Sequence, residues 1–427
     1  MRVWISDSGE PLPFQPGERL LRYGELSRYL AANGHQVTWW ATDFAHRAKT
    51  YIGKAGTSID WNGVDIRLVH GSGYRRNVGI GRLVHIAVHA RNLQKAIVAL
   101  EPPDIIVSGM PTTEASEVLV NYGQKHDVPV VVDIRDEWPE DYVRWLPRPL
   151  RPLGRLVLRP KFNQLERVCS GASAIFGVTE QQLNYGLSHG HRTKASSDAV
   201  IYTGARAPLL DGQRASKLAD EWRARGVDAG KFVCVYAGTM SPSRPLGPVI
   251  DAAIRLSAQI PIMLVIAGNG DAERDCRRRA DGHPAIHFVG WVGQEPMNVL
   301  LELADVLVAP YDPRFSFSMP TKMFDYMAAG KPIVSSCPGE ARALIEAFGI
   351  GLNYTFDDSA SVQQALAELY ANPARRRAMG LAARRLFDDQ FSLDSIVQIY
   401  TKRLQTIVAL HAARRSEKQT LNSTFPG

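Results

Sequence analysis

The segment SMPTKMFDYMAAGKPIV, residues 318–334, writes out one complete helix-to-strand unit. Pro320 stands where helices accept proline, just inside the first turn, where its missing N–H costs nothing. Met323, Phe324, Met327 and Ala328 can cover the buried side. Gly330 stops the helix, and Lys331-Pro332 leads into an apolar strand at 333–335. The first turn also points free N–H groups, Thr321 and the Lys322 ammonium the same way. Backbone donors, the positive end of a helix dipole and a cation make an anion site. Asp325, three residues on, falls on the face of Lys322. The cation and turn suit phosphates, and the carboxylate suits ribose hydroxyls, so the stretch fits a nucleoside diphosphate. Read alone, it fits a capped amphipathic helix before a strand equally well.

Outward from this unit the same alternation recurs. In the second half, β-branched strands are expected at 232–236, 262–267, 286–289, 306–309 and 333–335, with helices near 247–258, 271–281, 295–303, 320–329 and 359–371. In the first half, strands are expected at 2–6, within HQVTWWA after Gly34, and at 64–68, 104–108, 129–133, 174–178 and 199–202. Helices are expected at 17–33, 80–100, 112–126 and 179–189. Apolar runs that do not alternate belong to strands buried on both faces, so the spacing predicts an α/β chain with parallel, doubly wound sheets. The stretch 205–217, with Pro208 and Gly212, reads as a linker between domains at 1–204 and 218–392. A last helical pattern, about 393–415, can pack on the second domain or cross back to the first.

The composition supports this. A chain of 427 residues is too long for one core and suits two domains of roughly 200 residues. A hydrophobic content of 45% with 22% charged residues is that of a soluble globular chain. No apolar run reaches the roughly 18 residues of a membrane span, and the polar turn after the first strand is unlike a signal peptide. The four cysteines are too far apart for a metal or redox motif and fit a reducing cytosol. The net charge of +7 favours anionic partners without choosing among them; it is mild for nucleic acid, and no nucleic-acid module is present.

Ligands of doubly wound sheets bind beyond the carboxyl ends of the strands. That rule selects Gly238, Thr239, Ser241 and Arg244 after 232–236, where Arg244 and Lys322 would clamp a diphosphate. It selects Gly268, Asn269 and Gly270 after 262–267, and Gly290, Trp291 and Val292 after 286–289, whose backbone can read the edge of a base. In the first half it selects Asp133, Arg135, Asp136, Glu137 and Trp138, which can orient a sugar or acceptor hydroxyl or form a salt-bridged surface loop. GSGYRRN, 71–77, is a Gly-rich turn with two arginines, and His46 is a candidate acid, base or hydrogen-bonding group.

From Tyr142 to Leu165 there is no acidic residue. Arg144, Arg148, Arg151, Arg155, Arg159 and Lys161 alternate with bulky apolar residues. The mixture at 144–161 suits the face of an anionic membrane, or equally a basic loop; Pro147, Pro149, Pro152 and Pro160 argue against one long helix.

Three motifs taken together resemble glycosyltransferase family 4, with the GT-B fold, and most closely its bacterial fucosamine-transferase-like branch. They are GERLLRYGELSRYLAANGHQVTWWATDF at 17–44, the pair GYRRN at 73–77 and DIRDEWPED at 133–141, and PTKMFDYMAAGKPIV at 320–334. The resemblance implies two Rossmann-like domains facing across a cleft and a retaining, metal-independent transferase that takes its sugar from a nucleotide-sugar donor, here a UDP-sugar. It places Lys322 and 238–244 at the diphosphate, with Pro320 and Thr321 in the same turn, and Asp325 at the ribose. Gly17, Glu18 and the 133–141 loop come near the donor sugar and acceptor. The implied acceptor is a lipid-linked sugar for surface polysaccharide at the inner, cytoplasmic face of the membrane. Two departures stand out: Phe317 and Asp325 occupy the positions of the family's paired glutamates, and Pro16-Gly17-Glu18 replaces its Gly-Gly loop. A UDP-sugar epimerase, or a non-catalytic nucleotide-sugar-binding protein, could share the architecture.

Overall fold

The computed structural model describes residues 1–15, 20–46, 48–76, 79–207, 211–228, 230–315 and 319–424. The chain divides into two compact units, Met1–Tyr202 with Val397–Gly427, and Thr203–Ile396.

Among the described residues the first unit is built on an eight-stranded sheet. Its order is Ala199–Val200, Ala174–Gly177, Val130–Ile134, Ile105–Met110, Arg2–Ser6, Gln36–Thr42, Val64–Val69 and Ser58–Trp61. All neighbours are parallel except the last pair. The central strands are buried along nearly their whole length, as their unbroken apolar runs require. The order reverses between Arg2–Ser6 and Ile105–Met110. There Ser6 pairs with Ser108, so the loops that follow both strands leave at the same edge.

The edge hairpin was not read in the sequence. Its signal is Asn62-Gly63, both with positive φ (50° and 82°), the pairing a two-residue hairpin turn favours. The first helix is Arg22–Ala32, within the expected span. In the basic stretch the prolines start helices rather than breaking them: Pro152 and Pro160 lie in the first turns of Arg151–Val157 and Arg159–Gly171.

The second unit carries a six-stranded parallel sheet ordered Ile286–Gly290, Ile262–Ala267, Phe232–Ala237, Val306–Ala309, Ile333–Ser335 and Gly351–Asn353. Its reversal lies between Phe232–Ala237 and Val306–Ala309. Tyr236 OH and Ala237 N are therefore close to helix Thr321–Ala328: Tyr326 OH accepts from Ala237 N (3.0 Å) and donates to Val308 O (3.2 Å) across the reversal. The expected linker 205–217 is corrected: helix Gly212–Ala224, capped by Asp211, fills its second half and buries Leu218 and Trp222. Two apolar positions were too sparse to advertise that helix.

The last helix, Leu393–Thr424, starts in the second unit and from Val397 belongs to the first, where Tyr400, Leu404 and Ile407 are buried. Among the described residues no helix is long and apolar enough to cross a membrane, and all four cysteines are free and buried.

Candidate functional site

In the second unit the site begins with Lys322. Helix Thr321–Ala328 starts from Pro320, which is its extended N-cap (ψ 143°) rather than its first helical residue. Lys322 is turned inward. Its Nζ lies 4.1 Å from the ring centroid of Tyr236 and 5.4 Å from that of Tyr311. The atom is buried and has no hydrogen-bond partner. Burial pushes the ammonium down to about 7, and the nearby Arg244 charge pushes in the same direction. Arg244 lies 5.8 Å from the Tyr311 centroid, so one ring serves two cations. Its loop is folded by Arg244 N donating to Ser241 O (2.9 Å) and Tyr236 OH donating to Thr239 O (2.7 Å). Two cations gathered against aromatic faces at a sheet reversal have the chemistry to hold a compact polyanion.

Gly238 makes room for this. Its φ is 145°, and a Cβ there would come within 2.9 Å of Lys322 Nζ. Gly268 and Gly270 have a different reason. A Cβ at Gly268 would meet Gly238 O at 2.1 Å, and one at Gly270 would meet Met240 O at 2.1 Å. The loops after two adjacent strands continue their ladder, with Gly238 N to Ala267 O at 2.9 Å and Met240 N to Asn269 O at 3.0 Å. Close packing against the neighbouring loop thus requires glycine at both positions of the expected binding turn, and Asn269 between them is exposed. Gly290 N–Cα carries a positive φ of 71°, and Trp291 beyond it is 76% exposed. Lys322 and Asp325 line one pocket of about 560 Å³ together with Arg206, Gln294 and Asn298, three residues not singled out in the sequence. Thr321 is exposed at its helix start.

In the first unit Asp133 is fully buried. It pairs with Arg22 through Nε (2.9 Å) and Nη2 (3.2 Å) and accepts from Tyr400 OH (2.8 Å). Arg22 also donates to the carbonyls of Ile201 (2.6 Å) and Tyr202 (2.8 Å). Both oxygens of Asp133 are therefore taken, and its expected catalytic role is corrected to a structural one. Arg135 bridges Asp7 (2.6 Å) and Glu10 (2.8 Å) and lies over Tyr23 at 5.0 Å. Glu10 also accepts from Tyr23 N (2.9 Å), a first-turn donor of helix Arg22–Ala32. Burial raises the Glu10 carboxyl to about 7, against the pull of Arg135. Asp136 is exposed next to this cluster. His46 Nδ1 is hydrogen-bonded to Tyr74 OH, and His46, Asp7 and Glu10 line a pocket of about 430 Å³. Asp7, Glu10 and Tyr311 follow strand ends, so the strand-end rule itself could have found them. Gly17, Glu18 and Phe317 lie outside the described residues. Among the described residues no group of three His, Cys, Asp or Glu is placed to hold a metal.

Two parallel-sheet units, one carrying a cationic pocket at its reversal point, are the plan of a GT-B protein. Residues 22–193 match the glycosyl transferase 4-like domain and residues 231–372 match the glycosyl transferases group 1 domain. These consecutive matches, one in each unit, give the chain the GT-B fold and a likeness to glycosyltransferases in both halves.

Among curated proteins it is 25% identical over 201 residues to the O-antigen chain mannosyltransferase C of Escherichia coli, covering 46% of this chain and 52% of that one. It is 27% identical over 179 residues to the D-rhamnosyltransferase WbpZ of Pseudomonas aeruginosa, covering 42% and 45%. The chain thus spans about half the length of the curated relatives it matches. Among solved structures, HepE of Anabaena in complex with UDP aligns with a TM-score of 0.64 at 16% identity, over 95% of this chain and 100% of that one, a likeness of fold.

Proposed function

We propose that the chain is a retaining glycosyltransferase that moves a sugar from a UDP-sugar to a lipid-linked sugar acceptor in bacterial surface-polysaccharide synthesis, close to the fucosamine-transferase-like branch. The observation that carries this is the buried, unpartnered Lys322 ammonium. A buried charge without a partner is expensive to keep, and a diphosphate would satisfy it.

In this reading Lys322 and Arg244 hold the diphosphate, Asp325 takes the ribose hydroxyls, and the backbone at 290–292 meets the base. The bond from the sugar's anomeric carbon to the phosphate oxygen breaks as the acceptor oxygen bonds to the same face. The acceptor's proton passes to the departing phosphate oxygen, so no separate base is required. The two cations and the helix N-terminus stabilise the leaving charge in place of a metal. Arg135, Asp136 and His46 belong to the acceptor side. The basic stretch 144–161 meets the anionic membrane face where such an acceptor resides. The UDP-bound HepE structure supports the choice of nucleotide, and the likeness to an O-antigen chain mannosyltransferase supports a polysaccharide product.

The test is to follow UDP-N-acetylhexosamine by NMR with the full chain, with and without acceptor lipid. Transfer with retained anomeric configuration, only when acceptor is present, is expected. Conversion of the sugar without acceptor would make the protein an epimerase, and binding without turnover on any donor–acceptor pair would make it a binding protein. In a thermal-shift comparison of UDP, GDP and ADP, a ligand at 100 times its Kd adds about 2.7 kcal/mol. Stabilisation by GDP alone would overturn the UDP assignment.

A further inference from the structure

In the first unit an apolar groove, open to solvent, runs between helix Ile80–Ile97 and the segment 138–161. Leu83, Ile86, Trp138, Pro139, Tyr142 and Leu158 line most of it. Its two banks run into bulky side chains left in solvent. On one bank Ile80, Leu83 and Val84 share a helix face, and Ile80 is 79% exposed. On the other, Leu153, Leu156 and Val157 repeat the same spacing on helix Arg151–Val157, with Leu156 64% exposed. Arg148, Arg151, Arg155 and Arg159 interleave with that second stripe, and no acidic residue does.

Aromatic rings and a cation continue from the groove. Arg82 lies 4.5 Å from the Trp138 ring and 5.9 Å from that of Tyr74. Tyr74 OH is hydrogen-bonded to His46, which lines the pocket of Asp7 and Glu10. Successive contacts therefore lead from an apolar recess through a cation to a polar pocket. Hydrocarbon, phosphate and sugar follow one another in the same order along a lipid-linked saccharide.

We propose that this groove takes the hydrocarbon chain of a phosphate-bearing lipid, the carrier of the acceptor sugar. Arg82 meets its phosphate, and the two apolar stripes enter the leaflet around it. The assignment rests on the acceptor reading given under Proposed function and names where that acceptor is held. A flat anionic surface would engage the stripes and arginines but has no use for a recess. Each methylene buried is worth about 0.8 kcal/mol, so even a short length of chain confers selectivity.

The test measures binding of the full chain to phosphatidylcholine nanodiscs containing polyprenyl monophosphate. Discs carrying the same charge as phosphatidylglycerol serve for comparison. Wild type should bind the polyprenyl phosphate discs about tenfold or more tightly, as burial of a few methylenes requires. L83E, at a half-exposed groove wall, should bring that ratio to near one. L156E, on the outer stripe, should weaken both by similar factors and keep the ratio. A wild-type ratio near one means attachment to any anionic membrane and overturns the groove, as does an unchanged ratio in L83E. UDP thermal shift on the same samples reports the donor reading separately: its absence sinks the UDP-donor reading, whereas its presence with a ratio near one sinks only the groove.

Discussion

Each unit buries a cation, and the two are treated in opposite ways. Arg22 has a fully buried carboxylate at 2.9 Å, two carbonyls and a tyrosine ring 5.0 Å from its guanidinium. Lys322 has two aromatic faces and no hydrogen-bond acceptor. A satisfied buried charge holds elements together, whereas an unsatisfied one is held ready for something that arrives. The contrast separates scaffold from site more sharply than residue type does, since both are cations beyond the ends of parallel strands or beside them.

The largest effect should come from unpairing the satisfied charge. D133A leaves Arg22 buried alone and is expected to lose about 3–5 kcal/mol of stability, read by urea unfolding. A loss within the range of a surface substitution would erase the contrast. Next, K322A should lower kcat by about 10²–10³ with little change in stability, as for removal of a donor at a developing anion. A rate near wild type would take Lys322 out of the chemistry.

The pH dependence is third. The free lysine, depressed to about 7, regains a higher pKa against a diphosphate, so binding above pH 7 takes up a proton. UDP affinity should fall by up to about tenfold per pH unit as pH rises above 7, and calorimetry in buffers of differing ionisation enthalpy should count the proton. K322R should flatten this slope; a slope unchanged in K322R would place the titrating group elsewhere. The smallest effect concerns the empty protein. The folded lysine pKa lies below its unfolded value of 10.5, so the unfolded chain binds more protons between the two. Apo stability should therefore rise as pH climbs through that window. K322M should remove the dependence and add about 1–2 kcal/mol near pH 7 while abolishing UDP stabilisation. A destabilised K322M would mean that the ammonium has a partner.

What could be read beforehand divides along similar lines. The strands announced themselves through β-branched runs, and Lys322 with Asp325 stood in one local helix whose periodicity fixed their common face. Asp133 was visible as a charge at a strand end. Its meaning depended on Arg22 and Tyr400, 111 and 267 residues away in the chain, and no local pattern carries that. Tyr236 and Tyr311 meet Lys322 only because strands far apart in sequence are neighbours in the sheet. Gly268 was selected as a residue after a strand end, and its lack of a Cβ also leaves room for the carbonyl of Gly238 on the neighbouring loop. Helix Gly212–Ala224 was missed because its buried face rests on Leu218 and Trp222 alone.

The returning helix has a consequence for how the chain is made. The ribosome delivers the last strand of the first sheet, Ala199–Val200, before any of the second unit, yet Tyr400, Leu404 and Ile407 emerge only after it. Until then Asp133 lacks its tyrosine, and the surface those side chains cover stays open. The first unit is thus completed only after the second has been synthesised, and it must wait, incompletely closed, while the second unit folds as an insertion within it.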